Sequence, residues 1–362
     1  MVTSKEVLLF FTGLFIIISG CSKEDDGPDG PTYIPQSGVF ICNEGNFTFG
    51  NASLSFFNTD SNTLQNEVFQ KANGFPLGDV AQSISIKDSL GFIAINNSGK
   101  IFVINTNNFK HVATISGLTS PRYIHFVNDA KAYVSELYNT SITVINPVTF
   151  DITGHVHIGN STEQMVQAGE HVYATGWFRN NKIYKIDTSM DLVVDSLAVG
   201  KQPNSIQVDN NNKLWVLCDG GYEGIPGGKD SAALYRIVTN PFLIEAQFSF
   251  PDVASAPSEL HINARGDTLY FLNSSWSGSL THANGGIFQM DIGENQLPSA
   301  PFIDDKDRLY YGLNINSRNS EIYVSDAVDY QQRGWVYRYT SAGAVVDSFK
   351  TGIIPGSFAF KK

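Results

Sequence analysis

Residues Lys182–Asp219 read KIYKIDTSMDLVVDSLAVGKQPNSIQVDNNNKLWVLCD, and this stretch decides the fold. It contains four short runs of β-branched and aromatic residues that are separated by turns rich in Gly, Pro, Asn and Asp. That pattern is typical of an antiparallel β-meander. In chain order the predicted strands are Ile183–Ile186, Leu192–Val199, Ser205–Val208 and Leu214–Cys218. One such four-stranded sheet has two faces to bury, so it requires neighbours.

The rest of the chain repeats this meander. Each copy is marked by an apolar residue near the end of its third strand, just before a turn. Successive markers are 41 to 53 residues apart, and they are Phe57, Ile104, Ile145, Ile186, Ile237, Met290 and Tyr339. A period of about 40–50 residues with four strands in each unit is the sequence signature of a β-propeller. The sequence therefore predicts an all-β fold, a seven-bladed β-propeller with four-stranded blades.

The two ends of the chain predict how the ring closes. We label the strands of each blade A to D, from the innermost outward. The chain begins with a B-type strand, Val39–Cys42, and ends with an A-type strand, Ser357–Phe360. Because unpaired sheet edges are unfavourable, we expect the C-terminal strand to pair with the N-terminal strands and to complete the first blade. Phe358 and Phe360 should then be especially important for stability.

Composition excludes one class of partner. The 362 residues carry a net charge of −11, 16% of them are charged, and 42% are hydrophobic. Lys and Arg residues are scattered along the chain rather than clustered. A nucleic-acid-binding surface needs concentrated positive charge, so no nucleic acid is expected as a partner.

Two of the three cysteines lie in equivalent positions of different repeats. Cys42 and Cys218 each fall near the end of an apolar strand. In a radial arrangement of blades their sulfur atoms are too far apart for a disulfide. We therefore expect two free, mostly buried thiols.

The N-terminus has the form of a secretory signal that ends in a lipobox. The apolar run Val7–Ile18 is followed by Ser19-Gly20 and then by Cys21. The alternative is a transmembrane anchor, but a run of about twelve residues is too short to span a bilayer core of ~30 Å. We therefore predict a signal peptide over residues 1–20 and lipidation of Cys21.

The segment after Cys21 is acidic and then rich in Gly and Pro. Residues 21–36 are predicted to form a lipidated, disordered tether, and residues 37–362 to form the propeller. Glu24-Asp25-Asp26 resembles the surface-export signal of Bacteroidetes lipoproteins. On composition alone it is a solvated linker. The resemblance implies an outer-membrane protein that is exposed on the cell surface and contacts the membrane only through its lipid anchor.

The blade pattern also resembles a known family. Pro203 followed by Ile206, then KLWV at 213–216, preceded by KIYKID at 182–187 and VVDSLAVG at 193–200, is similar to YncE-type seven-bladed propellers. The similarity covers about residues 37–362. It is specific for the fold and nearly silent about function, because propellers host many activities.

The predicted loops of the two propeller faces differ. B–C and D–A loops share one face, which we call the upper face, and A–B and C–D loops share the lower face. The upper-face D–A loops carry Arg122 and Tyr123, and the B–C loops carry Phe47, Phe49, Tyr138, Trp177, Phe178, Tyr222, Trp276 and Tyr330. Large aromatic residues on loops are unexpected apolar surface. Either each ring plugs the end of its own blade, or the rings together form a binding surface.

A second set of candidates follows the B strands. Its members are Glu44, Asn96, Glu136, Gly176, Asp219, Asn273 and Asp326. The simpler interpretation is that these side chains cap turns by accepting hydrogen bonds from nearby backbone N–H groups. The alternative is hydrogen bonding to a ligand or a weak cation site. A metal ion needs ligands that converge at short range, which a ring of seven blades does not readily supply, so no metal site is predicted.

Catalytic signals are poor. The seven histidines are scattered, and His155 and His157 form only a weak pair on one face of a predicted D strand. The chain has no Gly-rich phosphate loop, nucleophile elbow or HExxH run. We therefore predict no catalytic residues and no cofactor, with a propeller lyase or lactonase as the alternative enzyme class.

The lipobox, the acidic segment and the YncE-type propeller together resemble the surface cobalamin-capture lipoproteins of gut Bacteroidetes, the BtuG type. The resemblance implies a protein that binds cobalamin or another corrinoid on one propeller face and delivers it to a TonB-dependent outer-membrane transporter. From loop placement we expect contact area from Tyr138, Trp177, Phe178, Tyr222, Trp276 and Tyr330. Hydrogen bonds to amides and phosphate would come from Arg122, Arg179, Asp219 and Asn273. The competing interpretation is an interaction module that binds a glycan or a partner protein through the same face.

Overall fold

The computed structural model of the chain describes residues 37–222, 224, 227–273 and 285–361. The predictions for Cys21, for the remainder of residues 1–36 and for Trp276 lie outside these residues. Within them the fold is all-β, with one short helix, α1 (Val68–Asn73). No helix in this part of the chain has the length and hydropathy needed to cross a membrane.

The strands follow one another along the whole described chain. The first fourteen are β1 (Gly38–Asn43), β2 (Ser53–Asn58), β3 (Thr63–Gln65), β4 (Ala81–Lys87), β5 (Leu90–Ile95), β6 (Lys100–Asn105), β7 (His111–Ser116), β8 (Pro121–Asn128), β9 (Lys131–Glu136), β10 (Ser141–Ile145), β11 (Ile152–His157), β12 (Met165–Ala168), β13 (His171–Gly176) and β14 (Lys182–Asp187). The others are β15 (Leu192–Ala198), β16 (Pro203–Val208), β17 (Leu214–Cys218), β18 (Ala233–Thr239), β19 (Phe242–Ser249), β20 (Ser258–Ile262), β21 (Thr268–Asn273), β22 (Gly286–Asp291), β23 (Ile303–Asp304), β24 (Tyr310–Ile315), β25 (Ile322–Asp326), β26 (Arg333–Tyr339), β27 (Val345–Ile353) and β28 (Pro355–Lys361).

These strands form seven antiparallel sheets of four strands each. From strand A to strand D, blades 1 to 7 are β28-β1-β2-β3, β4-β5-β6-β7, β8-β9-β10-β11, β12-β13-β14-β15, β16-β17-β18-β19, β20-β21-β22-β23 and β24-β25-β26-β27. The A strands contact one another in a closed circle that runs from β28 through β4, β8, β12, β16, β20 and β24 back to β28. The prediction of a seven-bladed propeller with four-stranded blades is confirmed.

The stretch Lys182–Asp219 does not form one sheet, although its strands lie where they were predicted. β14 and β15 are the outer strands of blade 4, whereas β16 and β17 are the inner strands of blade 5. Periodicity and turn residues locate strands but do not say which turns are hairpins. Here the loop from β15 to β16 returns the chain to the axis. The stretch is therefore the link between two blades, and its repetition generates the ring.

The C-terminal strand closes the ring as predicted. β28 pairs antiparallel with β1, so that Phe360 lies opposite Val39 and Phe358 lies opposite Ile41. Phe358 is buried in a cluster with Val39, Ile41 and Tyr323. Since Tyr323 belongs to blade 7, this cluster joins the last blade to the first.

Apolar side chains fill the spaces between neighbouring blades. Alternate residues of a strand point to opposite faces of its sheet, and here both faces are covered. Between blades 4 and 5, for example, Tyr173 and Ile183 share one buried cluster with Ile206 and Val216. All seven repeat markers lie on C strands and are buried. Burial of this kind is the main favourable term in the folding of such a ring.

Polar side chains occupy the inner edge of the ring, where each A strand has no further strand to pair with. The Gln207 amide donates to the Leu260 carbonyl at 2.9 Å, and the Asn314 amide donates to the Phe358 carbonyl at 3.0 Å. Each bond joins one A strand to the next around the ring. Because buried backbone groups need partners, the fold itself demands polar residues along its axis.

The two cysteines of the propeller are free and buried. Cys42 lies on β1 and Cys218 on β17, the B strands of blades 1 and 5. Burial raises the pKa of both thiols, which keeps them protonated and unreactive. The expectation of two free thiols is confirmed.

Replacing Phe358 by Ala tests the closure. We expect Phe358→Ala to lower the free energy of unfolding by about 3–5 kcal/mol, since it leaves a cavity where the first and last blades meet. Urea denaturation followed by circular dichroism measures the change. Val345→Ala on β27 is the control, because Val345 is exposed and its truncation should cost less than about 0.5 kcal/mol. Equal small losses in both variants would mean that the terminal strand does not hold the ring together.

Candidate functional site

Several large rings on the upper face are open to solvent. Phe47 is 64% exposed, Phe49 75%, Tyr138 67% and Tyr222 45%. For these four residues the plug interpretation is wrong, because an exposed ring does not fill the end of its blade. They offer apolar contact area on loops that rigid strands hold in place.

Tyr138, Phe178 and Arg179 form a continuous group across blades 3 and 4. The rings of Tyr138 and Phe178 meet edge to face with their centroids 6.1 Å apart. The Arg179 guanidinium lies 5.0 Å from the centroid of the Phe178 ring. The three predicted ligand residues are therefore neighbours, and a ligand resting on the two rings would lie close to a positive charge. We call this group the aromatic platform.

Trp177 connects the upper face to the axis of the propeller. Its indole N–H donates to the Asp219 carboxylate at 3.4 Å, and the Arg122 guanidinium lies 5.4 Å from its ring. The side chain is partly buried. Trp177, Asp219 and Arg122 thus lie together, and the indole packs against the largely buried Arg122 guanidinium.

Arg122 does not lie on a loop, contrary to the sequence prediction, and neither does Tyr123. Both belong to β8, the A strand of blade 3. The Arg122 side chain is only 14% exposed and its partner Glu163 only 4%. Its Nε and Nη2 atoms donate to the Glu163 carboxylate, and Nη1 donates to Gln82. Burial opposes the charge on Arg122, but the Glu163 carboxylate outweighs it and raises the pKa of the guanidinium.

A β-bulge near the start of the A strands explains why such residues face the axis. Register shifts occur there in β4, β8, β16, β20, β24 and β28. The residues at the bulges are Gln82, Arg122, Asn204, Glu259, Tyr311 and Gly356. In blade 4, Glu163 precedes β12 in the corresponding position. Bulges redirect side chains and commonly lie beside functional sites.

In blade 1 the axial position is filled by the residue that follows β1. Gly356 has no side chain, and a Cβ atom there would lie 2.5 Å from Glu44 Oε1. Glu44 therefore occupies the place that a side chain of β28 would take. The Tyr311 hydroxyl donates to both Glu44 oxygens at 3.0 and 3.1 Å.

We call Gln82, Arg122, Glu163, Glu259, Tyr311 and Glu44 the axial cluster. It holds three carboxylates and one guanidinium. Burial raises the pKa of Glu44 to about 7, although Arg122 and the Tyr311 hydroxyl favour the carboxylate. Burial likewise raises the pKa of Glu163, against the opposing effect of Arg122. Near neutral pH, therefore, the charge of the cluster changes through Glu44.

A cavity of about 200 Å³ lies along the A strands. Tyr123, Gln164, Glu259 and His261 are among the residues that line it. A polar cavity of this size holds a few water molecules and is too small for a large organic ligand. Such a ligand must bind above it, on the upper face.

Tyr330 lies nearer the axis than its predicted place on the aromatic surface. Its ring meets that of Tyr311 edge to face at 5.8 Å, and its backbone carbonyl accepts a hydrogen bond from the Asn46 amide. Tyr330 is partly buried. It therefore supports the Tyr311–Glu44 side of the axial cluster.

The acids and amides after the B strands divide between the two interpretations. Asp326 caps a turn by accepting from the Val328 N–H at 2.8 Å, and Glu136 accepts from the Thr119 N–H at 2.6 Å. Asp219 accepts from the Gly221 N–H at 2.7 Å. Asn273 Oδ1, in contrast, is buried and has no hydrogen-bond partner within the described residues. Backbone N–H groups thus account for Glu136, Asp219 and Asp326, but not for Asn273 or for Glu44, which accepts from the Tyr311 hydroxyl.

Four members of the axial cluster were not predicted from the sequence, namely Glu163, Glu259, Tyr311 and Gln82. A signal for them exists. Aligning the A strands places each of these residues two positions before a residue that enters the regular strand, such as Ile84, Met165 or Leu313.

No group of three or more His, Cys, Asp or Glu side chains among the described residues could hold a metal ion.

Comparison with known sequences identifies a family match. A family model described as "Domain of unknown function (DUF5074)" matches residues 37–352. No curated protein matches the chain.

Solved structures share the fold at low sequence identity. A quinonprotein alcohol dehydrogenase-like protein from Bacteroides thetaiotaomicron VPI-5482 is 13% identical, with a TM-score of 0.66 over 91% of this chain and 79% of its own. A protein from Lactobacillus plantarum is 10% identical, with a TM-score of 0.64 over 90% of this chain and 100% of its own. A putative 6-phosphogluconolactonase from Bacteroides uniformis ATCC 8492 is 12% identical, with a TM-score of 0.61 over 90% and 99%. These likenesses show the fold alone.

Glu44→Gln tests the electrostatics of the axial cluster. A carboxyl group whose pKa is raised from 4.5 to about 7 on folding binds its proton more tightly in the folded state. Its contribution to stability is therefore full below pH 4.5 and is lost as the pH rises through 7. We expect wild-type protein to lose roughly 2–3 kcal/mol more than Glu44→Gln between pH 4.5 and 8.

Urea unfolding at a series of pH values measures this difference. Glu170→Gln is the control, because Glu170 is exposed, and its profile should follow that of the wild type. Parallel profiles for wild type and Glu44→Gln would show that Glu44 titrates normally in the folded protein.

Proposed function

The chain belongs to the DUF5074 family, and we propose that it is a non-enzymatic capture protein that binds a corrinoid such as cobalamin on the upper face of its propeller. The observation that carries this proposal is the exposure of large rings on that face. Four of them are 45% to 75% exposed. Rigid aromatic side chains on a stiff scaffold supply contact area at low entropic cost.

The chemistry of a corrinoid matches this arrangement. A corrinoid has a broad, flat ring with amide groups around its edge. Tyr138 and Phe178 provide aromatic surface, and Tyr222 extends the exposed apolar area on blade 5. Asn273 Oδ1 is buried, so hydrogen bonds to the edge amides fall to exposed side chains such as Arg179, which can donate to their carbonyl oxygens.

Arg122 takes a different part in this proposal from the one its sequence position suggested. Glu163 and Gln82 already accept hydrogen bonds from all three of its side-chain nitrogens, and Trp177 packs against it. It therefore acts through Trp177, which it holds in place beside Asp219. Direct hydrogen bonds to the ligand are left to residues nearer the surface.

The location of the protein is part of the same proposal. A lipid on Cys21 would hold the propeller at the outer membrane, and residues 21–36 would allow it to reach a TonB-dependent transporter. The sequence features that support this are the lipobox and the acidic segment that follows it. Capture at the cell surface requires tight binding and then release to the transporter, without any chemical step.

One observation favours a second candidate function. Phe47 and Phe49 are 64% and 75% exposed on blade 1, whereas the aromatic platform lies on blades 3 and 4. Apolar side chains spread so widely also suit a flat partner such as a glycan or a protein surface. An interaction module is therefore the competing proposal.

Calorimetric titration with cyanocobalamin tests corrinoid capture. We expect binding at micromolar concentration or below. Tyr138→Ala and Trp177→Ala should each weaken this binding at least about tenfold. An aromatic ring that is buried by the bound partner commonly contributes more than about 1.4 kcal/mol to the binding free energy. Since Tyr138 is exposed, its truncation should change the free energy of unfolding by less than about 0.5 kcal/mol.

Met190→Ala is the matched control, because Met190 is exposed on the lower face of blade 4. Its affinity for cyanocobalamin should equal that of the wild type. No binding of any corrinoid by the wild type would exclude this function and leave the interaction module. A large loss of stability in Trp177→Ala with unchanged affinity would show that Trp177 is structural.

A further inference from the structure

A second concave surface lies on the outer part of the upper face, at blade 4. It is a cleft of about 570 Å³. Arg179, Lys182, Lys201 and the amides of Asn160 and Asn181 are among the residues that line it. The cleft therefore gathers three basic side chains, in a protein with a net charge of −11.

The three cations of the cleft differ in their partners. Among the described residues, neither Arg179 nor Lys182 has a carboxylate within ion-pair distance. Lys201 differs, because its ammonium group lies 2.9 Å from Asp230 and also donates to the carbonyls of Gly227 and Gly228. Lys201 thus fixes the neighbouring loop, while Arg179 and Lys182 leave a net positive charge in the cleft.

The cleft also adjoins the aromatic platform. Arg179 stacks on Phe178, and Phe178 meets Tyr138. Arg179 is itself exposed. A ligand lying on the two rings would therefore place a neighbouring group at the mouth of the cleft.

We propose that this cleft binds a phosphate group of the captured ligand. Arg presents a planar fork that matches phosphate oxygens, and Lys supplies a compact charge beside it. The side-chain amides of Asn160 and Asn181 add hydrogen-bond donors. This inference rests on the proposed corrinoid function in one respect: cobalamin carries a phosphodiester, and cobinamide lacks it. The cleft would therefore make the protein bind cobalamin more tightly than cobinamide.

Inorganic pyrophosphate tests the cleft without any corrinoid. Calorimetry at low salt should show binding by the wild type, weakened at least about fivefold by Lys182→Ala and by Arg179→Ala. Lys182→Arg should retain it, since the charge is kept. Raising the salt to 0.5 M should weaken binding, because exposed charges are screened.

Lys185→Ala is the control for the loss of one positive charge. Lys185 lies on the same strand as Lys182 but is not part of the cleft lining. The Lys185→Ala variant should therefore bind pyrophosphate with the same affinity as the wild type. If Lys185→Ala and Lys182→Ala weaken binding equally, or if the wild type does not bind, the cleft is not a phosphate site.

Comparing cobalamin with dicyanocobinamide tests the source of the phosphate. We expect the wild type to prefer cobalamin and Lys182→Ala to reduce the ratio of the two affinities about tenfold. If both corrinoids bind and the ratio does not change, the cleft proposal fails and corrinoid capture stands. If neither corrinoid binds but pyrophosphate binding depends on Lys182, the anion site stands and corrinoid capture fails.

Discussion

The pairing of β28 with β1 is the interaction on which the rest of the structure depends. It places an A strand made from the C-terminus inside a blade made from the N-terminus, and so completes the circle of seven A strands. The same pairing brings Gly356 against Glu44, which lets Glu44 reach Tyr311 on blade 7. Without this pairing, the axial cluster would lose the contact between Glu44 and Tyr311. The strands β1 and β28 would also expose unpaired edges.

The axis and the rim of the upper face have different physical origins. Polar groups at the axis are required by the fold, because the inner edges of the A strands need hydrogen-bond partners, as Gln207 supplies for Leu260. Exposed rings are not required by the fold, since Tyr138 and Phe49 contribute little to the buried core. Exposed apolar area costs solubility unless it is used. For this reason the rim, more than the axial cluster, indicates function.

Sequence reasoning located the strands well because a propeller repeats one simple pattern. The spacing of markers such as Ile104 and Ile145 sufficed to count the blades, and the strand types at the two ends sufficed to predict closure. The grouping of strands into sheets was wrong for Lys182–Asp219, since alternation alone does not separate a hairpin from a link between blades. The sequence alone does not place Arg122 on a strand, because the β-bulge that turns its side chain to the axis has no signature in a single repeat. Glu163 and Glu259 were missed for the same reason, and they become recognisable only when the A strands are aligned with one another.

Hydrogen–deuterium exchange in the presence of saturating cyanocobalamin tests most directly the claim that the upper face holds the ligand. Amide exchange reports local opening and its suppression by contact. We expect slower exchange in the upper-face segments 137–140 and 177–181, and no change in the lower-face turns 146–151 and 187–191. Slower exchange confined to the lower-face turns, or no change on either face, would contradict it.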